Sequence, residues 1–179
     1  MNDWFTTLDG TYAKVWDCLA NGAASRAQVA FATVSPENAP EVRTVVMRAA
    51  KAPTVEIYTD LQSDKITSLR GNPCASVLLW DAGLALQIRL TATVSVLSGE
   101  AVIDRWHAVP DHSKLSYGIT PAPGQPIADS TAYTKTPDPA VFAVLSCNVT
   151  HIDAVYLGET HRRAAFSQDG DWAGKWLAP

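Results

Sequence analysis

The sequence predicts an α+β fold: a small closed antiparallel β-barrel of six to seven strands with helices at its edges. Short β-rich runs follow one another at close spacing between residues 27 and 97 and again between 141 and 167. The first of these are joined by turn chemistry, SPENAP and AKAP, too short for a helical crossover, so the strands they join are antiparallel neighbours. Helical periodicity is confined to the N-terminus and to three short stretches. A chain of 179 residues, 47% hydrophobic, fits a single domain over 1–179.

Residues 3–20 place Trp4, Leu8, Tyr12, Val15 and Leu19 at steps of three and four, with Asp3 as a candidate cap and Gly22 just past the end, which predicts a helix. AQVAFATV (27–34), EVRTVVMR (41–48) and TVEIYTD (54–60) are predicted strands. SDKITSLRG (63–71) reads as a short helix with Ser63 as its cap and Ile66 and Leu69 as its apolar pair. CASVLLW (74–80) and LALQIRLTATVSVL (84–97) are strands, the second long enough to bend or bulge; 98–109 and 111–118 read as helical. The segment from Ile119 to Pro139 holds five of the eleven prolines and is a long loop with room for one helical turn, and such loops are often functional. VFAVLSCNV (141–149), HIDAVYL (151–157) and RAAFS (163–167) complete the strands.

Composition narrows the function. The formal net charge of −4 and the lack of a basic run argue against nucleic acid as a partner. Apolar stretches are broken every few residues, so no membrane span is expected. MNDWFTTLDG lacks the basic and apolar regions of a signal peptide. Cys18, Cys74 and Cys147 are odd in number and far apart, which fits small buried thiols in a cytoplasmic protein. The charged fraction of 18% is low and hints at surface buried in an oligomer. There is no GxSxG, GxxxxGKS/T, HExxH or CxxC. His107, His112, His151 and His161 stand at no metal spacing, and no acid/base pair emerges.

What remains is a set of cations at strand ends. Arg43 and Arg48 lie in or beside an apolar strand, where an arginine needs a partner; five residues apart, they point to opposite faces. Lys65 sits in the first turn of a helix, where an anion would offset its unfavourable position against the helix dipole. Gln87 and Arg89 interrupt an apolar strand. By chemistry alone, Arg43, Lys65 and Arg89 fit salt-bridged surface residues as well as anion ligands.

The ordered set Arg43-Thr-Val-Val-Met-Arg48, Tyr58-Thr59 with Ser63 and Lys65, Asn72-Pro73, Trp80 and Gln87-Ile88-Arg89 resembles the pyridoxamine 5′-phosphate oxidase-like FMN-binding split barrels. The resemblance runs from about residue 27 to 179, with HRRAAF (161–166) and the terminal WLAP similar to the family's C-terminal ending. It implies a split barrel that forms a homodimer with FMN at the interface. By that pattern Arg43 and Lys65 grip the FMN phosphate with help from Ser63, while Thr44, Val45, Val46, Arg48, Tyr58 and Thr59 line the ribityl chain and flavin ring. Gln87 adds a hydrogen bond, and Arg162 or Arg163 reaches across from the other subunit. Substrate contacts fall to Arg105, Ser113 and Tyr133.

Two departures stand out. Asp64 occupies the position between serine and lysine where the oxidases carry an arginine. Arg105, Val109 and Ser113 stand where the vitamin-converting enzymes have a tyrosine, an arginine and a serine, and Val109 cannot hold a phosphate. The FMN half of the site is therefore kept and the pyridoxine half is not. The expected function is an FMN-dependent oxidoreductase acting on a small molecule. The alternatives are a binding protein or sensor that holds FMN or heme without turnover, a true pyridoxamine 5′-phosphate oxidase, and a structural dimer in which Asp64 abolishes flavin binding.

Overall fold

The structure, a computed structural model, describes residues 3–179. The strands are β1 (Gln28–Val34), β2 (Pro40–Lys51), β3 (Thr54–Asp60), β4 (Cys74–Asp81), β5 (Leu86–Ser98), β6 (Ile119–Thr120), β7 (Thr134–Lys135), β8 (Phe142–Tyr156), β9 (Arg162–Ser167) and β10 (Lys175–Leu177). The helices are α1 (Leu8–Ala24), α2 (Asp64–Gly71), α3 (Ile103–Ala108) and α4 (Asp111–Lys114).

Strands β8, β3, β2, β1, β4 and β5 pair antiparallel in that order, and β5 pairs back to β8 to close a six-stranded barrel. β8 makes the split. Residues 142–148 pair with β3 and residues 151–156 with β9 on the same edge, while β5 follows the other edge throughout. What reads in the sequence as two strands, 141–149 and 151–157, is therefore one, with Thr150 as an extra residue opposite the step from Thr91 to Ala92.

The alternation of side chains fills the barrel with Phe31, Met47, Ile57, Val77, Ile88, Leu90, Leu145 and Cys147, all fully buried. Helix α1 adds Val15 and Leu19 to this core and α2 adds Ile66 and Leu69. A second cluster covers part of the outer wall: Val102, Trp106, Val109 and Tyr117 pack on Phe142 and Val144.

Several expectations are corrected. Helix α1 starts at Leu8, not residue 3, because Thr7 is extended and caps it by accepting from Gly10 N at 3.1 Å; the residues before it form a 3₁₀ turn. Gly22 lies inside the helix, where the Met47 methyl approaches so closely that a Cβ would stand 2.8 Å from it. Helix α4 is a single turn, so 115–118 is not helical. The proline-rich segment contains the short β6–β7 ladder, and the one helical turn it reaches is a 3₁₀ turn at its very end, Pro139–Val141. Cys18 and Cys147 are buried, the latter's thiol pushed up to about 12 by burial, but Cys74 is exposed at the start of β4. Among the described residues no helix is long and apolar enough to cross a membrane.

Candidate functional site

The alternation of β2 puts Glu41, Arg43, Val45 and Met47 on one face. Met47 is fully buried, and Arg43 emerges toward the barrel mouth beneath α2. The guanidinium is held from two sides. Nη1 donates to Thr33 Oγ1 at 2.7 Å and to the Phe31 carbonyl at 3.4 Å, and Nη2 donates to Glu41 Oε2 at 2.9 Å. The same carboxylate oxygen accepts from Ser68 Oγ of α2 at 3.0 Å and from Thr33 Oγ1 at 3.3 Å. Hydrogen bonds from Ser68 and Arg43 hold the Glu41 carboxyl below the usual range.

Lys65, in the first turn of α2, donates to Ser63 Oγ at 2.9 Å and Thr59 Oγ1 at 3.0 Å. It forms no salt bridge among the described residues. Burial, then the charge of Arg43, pull its pKa down, an effect that Asp60 and Asp64 oppose. A half-buried ammonium near a second cation, with only hydroxyls as acceptors, suits a further oxyanion. Ser63 holds the cap position of α2 but makes no capping bond; its hydroxyl donates to the Asp60 carbonyl at 2.7 Å and receives Lys65. Four predicted residues, Arg43, Thr59, Ser63 and Lys65, thus share one end of the barrel.

The long loop is strapped to this end. The buried Asp60 carboxylate accepts from Gln62 N at 2.8 Å through Oδ1 and from Gly118 N at 2.9 Å through Oδ2. Gly118 is held at φ +105°, where a Cβ would collide with the Thr136 carbonyl. Further along, Gly124 comes so close to Asp64 that a Cβ there would lie 3.0 Å from its Oδ2.

Two other groups lie apart. Arg48 is the extra residue of a bulge, since Met47 pairs with Ile57 and Ala49 with Glu56. It faces the opposite way from Arg43, with its guanidinium 5.6 Å from the centre of the Tyr58 ring. Burial raises the Tyr117 pKa, and Arg48 opposes that rise. Nearby, Arg105 is committed to Glu56, with Nη2 donating at 2.7 Å, and Val109 is a core residue.

The second group lies on the open outer wall. Thr44, Ala30, Leu78 and Arg89 stand in one register row across β2, β1, β4 and β5, with Val46 and Gln87 one step on. Val42 is 71% and Trp80 50% exposed on this wall, and the Gln87 amide makes no hydrogen bond among the described residues. The Val45 side chain turns inward and packs against the core, which leaves its backbone to face any ligand on this wall.

Arg89 and Arg163 both bind Asp153, Arg163 through Nε at 3.0 Å and Nη2 at 2.8 Å, and Arg162 donates to the Phe5 carbonyl at 3.1 Å. A groove of about 550 Å³ beside them is lined by Arg89, His151, Asp153, Ser167 and Lys175, away from the Arg43–Lys65 pair. The Ser113 hydroxyl makes no hydrogen bond among the described residues. Tyr133 is exposed, with the Lys135 ammonium 5.6 Å from its ring centre. Among the described residues no hydrogen bond or ring contact joins Tyr133 to Arg105 or Ser113.

The sequence expectations omit Glu41, Thr33, Ser68, Asp60 and Tyr117. Glu41 was open to inference, since i and i+2 on a strand share a face.

The profile described as "Pyridoxamine 5′-phosphate oxidase, FMN-binding domain" matches residues 2–98, more than half of the chain. The chain belongs to this family. A pyridoxine/pyridoxamine 5′-phosphate oxidase of Acinetobacter baylyi is 33% identical over 97 residues, 54% of this chain and 44% of the relative. That of Deinococcus deserti is 29% identical over 111 residues, 62% of this chain and 52% of its own length. The chain thus spans about half the length of the relatives it matches. Over the whole fold, it superposes with a TM-score of 0.76 on a pyridoxamine 5′-phosphate oxidase-related, FMN-binding protein of Nostoc punctiforme, at 24% identity and covering 95% and 96% of the two chains. PhzG of Burkholderia lata, solved with tetrahydrophenazine-1-carboxylic acid, gives 0.75 at 19% identity, covering 94% and 91%. These likenesses establish the split-barrel fold.

Proposed function

We propose that the chain is an FMN-binding flavoprotein of this family that works as an oxidoreductase on a small molecule, as a homodimer with the flavin between subunits. The observation that carries this is the pairing of Arg43 with Lys65 at the barrel mouth. Lys65 is half-buried with only hydroxyl acceptors, and such a cation accommodates a phosphate. Ser63 and Thr59 complete the polar cradle. Thr44, Val46 and Gln87, on the open wall, would meet the rest of the cofactor and the second subunit; an exposed apolar wall carrying Val42 and Trp80 suits such an interface. When bound, the flavin supplies the redox chemistry, and the chain supplies binding, orientation and tuning. Arg48, with its guanidinium over the Tyr58 ring, is the cation that would tune the flavin.

The substrate we infer is not a pyridoxine phosphate. Arg105 is engaged by Glu56, and Val109 is packed in the second core cluster where a phosphate-binding arginine would be needed. The test is the visible spectrum of the purified protein before and after incubation with excess FMN and desalting. Retained flavin absorption supports the proposal. A protein that stays colourless, and that chromatographs as a monomer, overturns it.

A further inference from the structure

A second feature of the barrel mouth rests on the flavin proposal and deepens it. Arg43 is not a free cation. A guanidinium can grip an oxyanion with two parallel bonds along either of two edges, Nη1–Nη2 or Nε–Nη2, and both edges use Nη2. That nitrogen is the one bonded to Glu41, at 2.9 Å. Nη1 is meanwhile directed at Thr33 Oγ1 and the Phe31 carbonyl.

The carboxylate is held there by more than Arg43. Ser68 Oγ, from α2, binds the same oxygen at 3.0 Å, and Thr33 Oγ1 lies 3.3 Å away. Three donors from three elements therefore converge on one carboxylate oxygen, in the way donors converge on a bound anion. Lys65, by contrast, forms no salt bridge with a carboxylate among the described residues and donates to two hydroxyls. The two cations of the mouth are unequal: one is already neutralised and the other is not.

We propose that Glu41 is a built-in competitor for the phosphate, occupying Arg43 in the free protein and leaving the guanidinium when a phosphate monoester binds. A phosphate gripped along either edge of Arg43 would share Nη2 with the carboxylate and be repelled by it. The carboxylate thereby lowers affinity for the phosphate end of a ligand and leaves any part without phosphate unaffected. It sets how strongly the site prefers a phosphorylated ligand to its dephosphorylated counterpart.

Glu41→Gln keeps the side chain's shape and its acceptor oxygen for Ser68 and Thr33 while removing the charge. FMN should bind the variant about tenfold more tightly than wild type, or about 1.4 kcal/mol, and riboflavin equally well. Inorganic phosphate should raise the Tm of the variant more than that of wild type. Glu37→Gln, the same charge change at an exposed position bonded to Ser35, should alter neither response. If Glu41→Gln folds poorly, Glu41→Thr, whose β-branched side chain suits a strand, gives the same readings. Weaker or unchanged FMN and phosphate responses in the neutral variants overturn the proposal and make Glu41 a brace for Arg43. If neither protein binds FMN but the variant gains the phosphate response, the flavin proposal falls and the competition stands.

Discussion

Replacing Lys65 with methionine should separate stability from binding. The substitution removes two hydrogen bonds, to Ser63 Oγ at 2.9 Å and Thr59 Oγ1 at 3.0 Å, each contributing about 1 kcal/mol net. Neither hydroxyl is orphaned: the two lie 3.3 Å apart, and Ser63 keeps its bond to the Asp60 carbonyl at 2.7 Å. Against that loss, a half-buried ammonium repelled by Arg43 is replaced by an apolar side chain of similar length, which relieves dehydration and like-charge repulsion. The two contributions oppose each other, so the stability of the free protein should change by no more than about 1 kcal/mol. Binding should change much more. Loss of a charge-assisted bond to phosphate, about 1.5–3 kcal/mol, weakens FMN by roughly ten- to 150-fold. Urea unfolding followed by tryptophan fluorescence measures the first quantity, and an FMN titration measures the second. A variant that loses more than about 3 kcal/mol of stability while binding FMN as before would refute the assignment and make Lys65 a structural residue.

Asp64→Arg should tighten FMN, because it removes a negative charge next to Lys65 and adds a positive one; an unchanged titration would place residue 64 out of reach of the phosphate. Asp60→Ala strands the amides of Gln62 and Gly118 and should lower stability by about 2–4 kcal/mol. The amides of 118–138 should then exchange faster with solvent, and unchanged exchange would mean the loop is held by other contacts. The Asp153 carboxyl is pushed up by burial, but hydrogen bonds from Arg163 and the charges of Arg163 and Arg89 outweigh this and leave it depressed. Its contribution to stability is therefore present above the unfolded value of about 3.9 and is lost as pH falls through the lower folded value. Asp153→Asn should flatten the acid limb of the stability profile below about pH 4, and an unaltered acid limb would show that the pair does not couple to folding.

The sequence by itself determined the class of fold. Period-two runs such as QVAFATV and TVEIYTD fix which side chains face inward, and turns too short for a crossover force antiparallel pairing. It also placed Ser63 and Lys65 at the start of a short helix, as α2 has them, because the local pattern of cap position and apolar pair was sufficient. The partners of the charges were not local. Arg43 and Glu41 share a face by strand geometry, yet the carboxylate is fixed by Ser68, 27 residues away, and by Thr33 across the β1–β2 ladder. Arg89, Arg105 and Arg163 read as candidate ligands, but strand register sets the first and third against Asp153 and the packing of α3 sets the second against Glu56. Local patterns decide which residues become strand or helix, since backbone geometry and side-chain periodicity act over a few residues. Ion pairing acts through space, and only the closed barrel decided which charges meet each other and left Lys65 with hydroxyls alone.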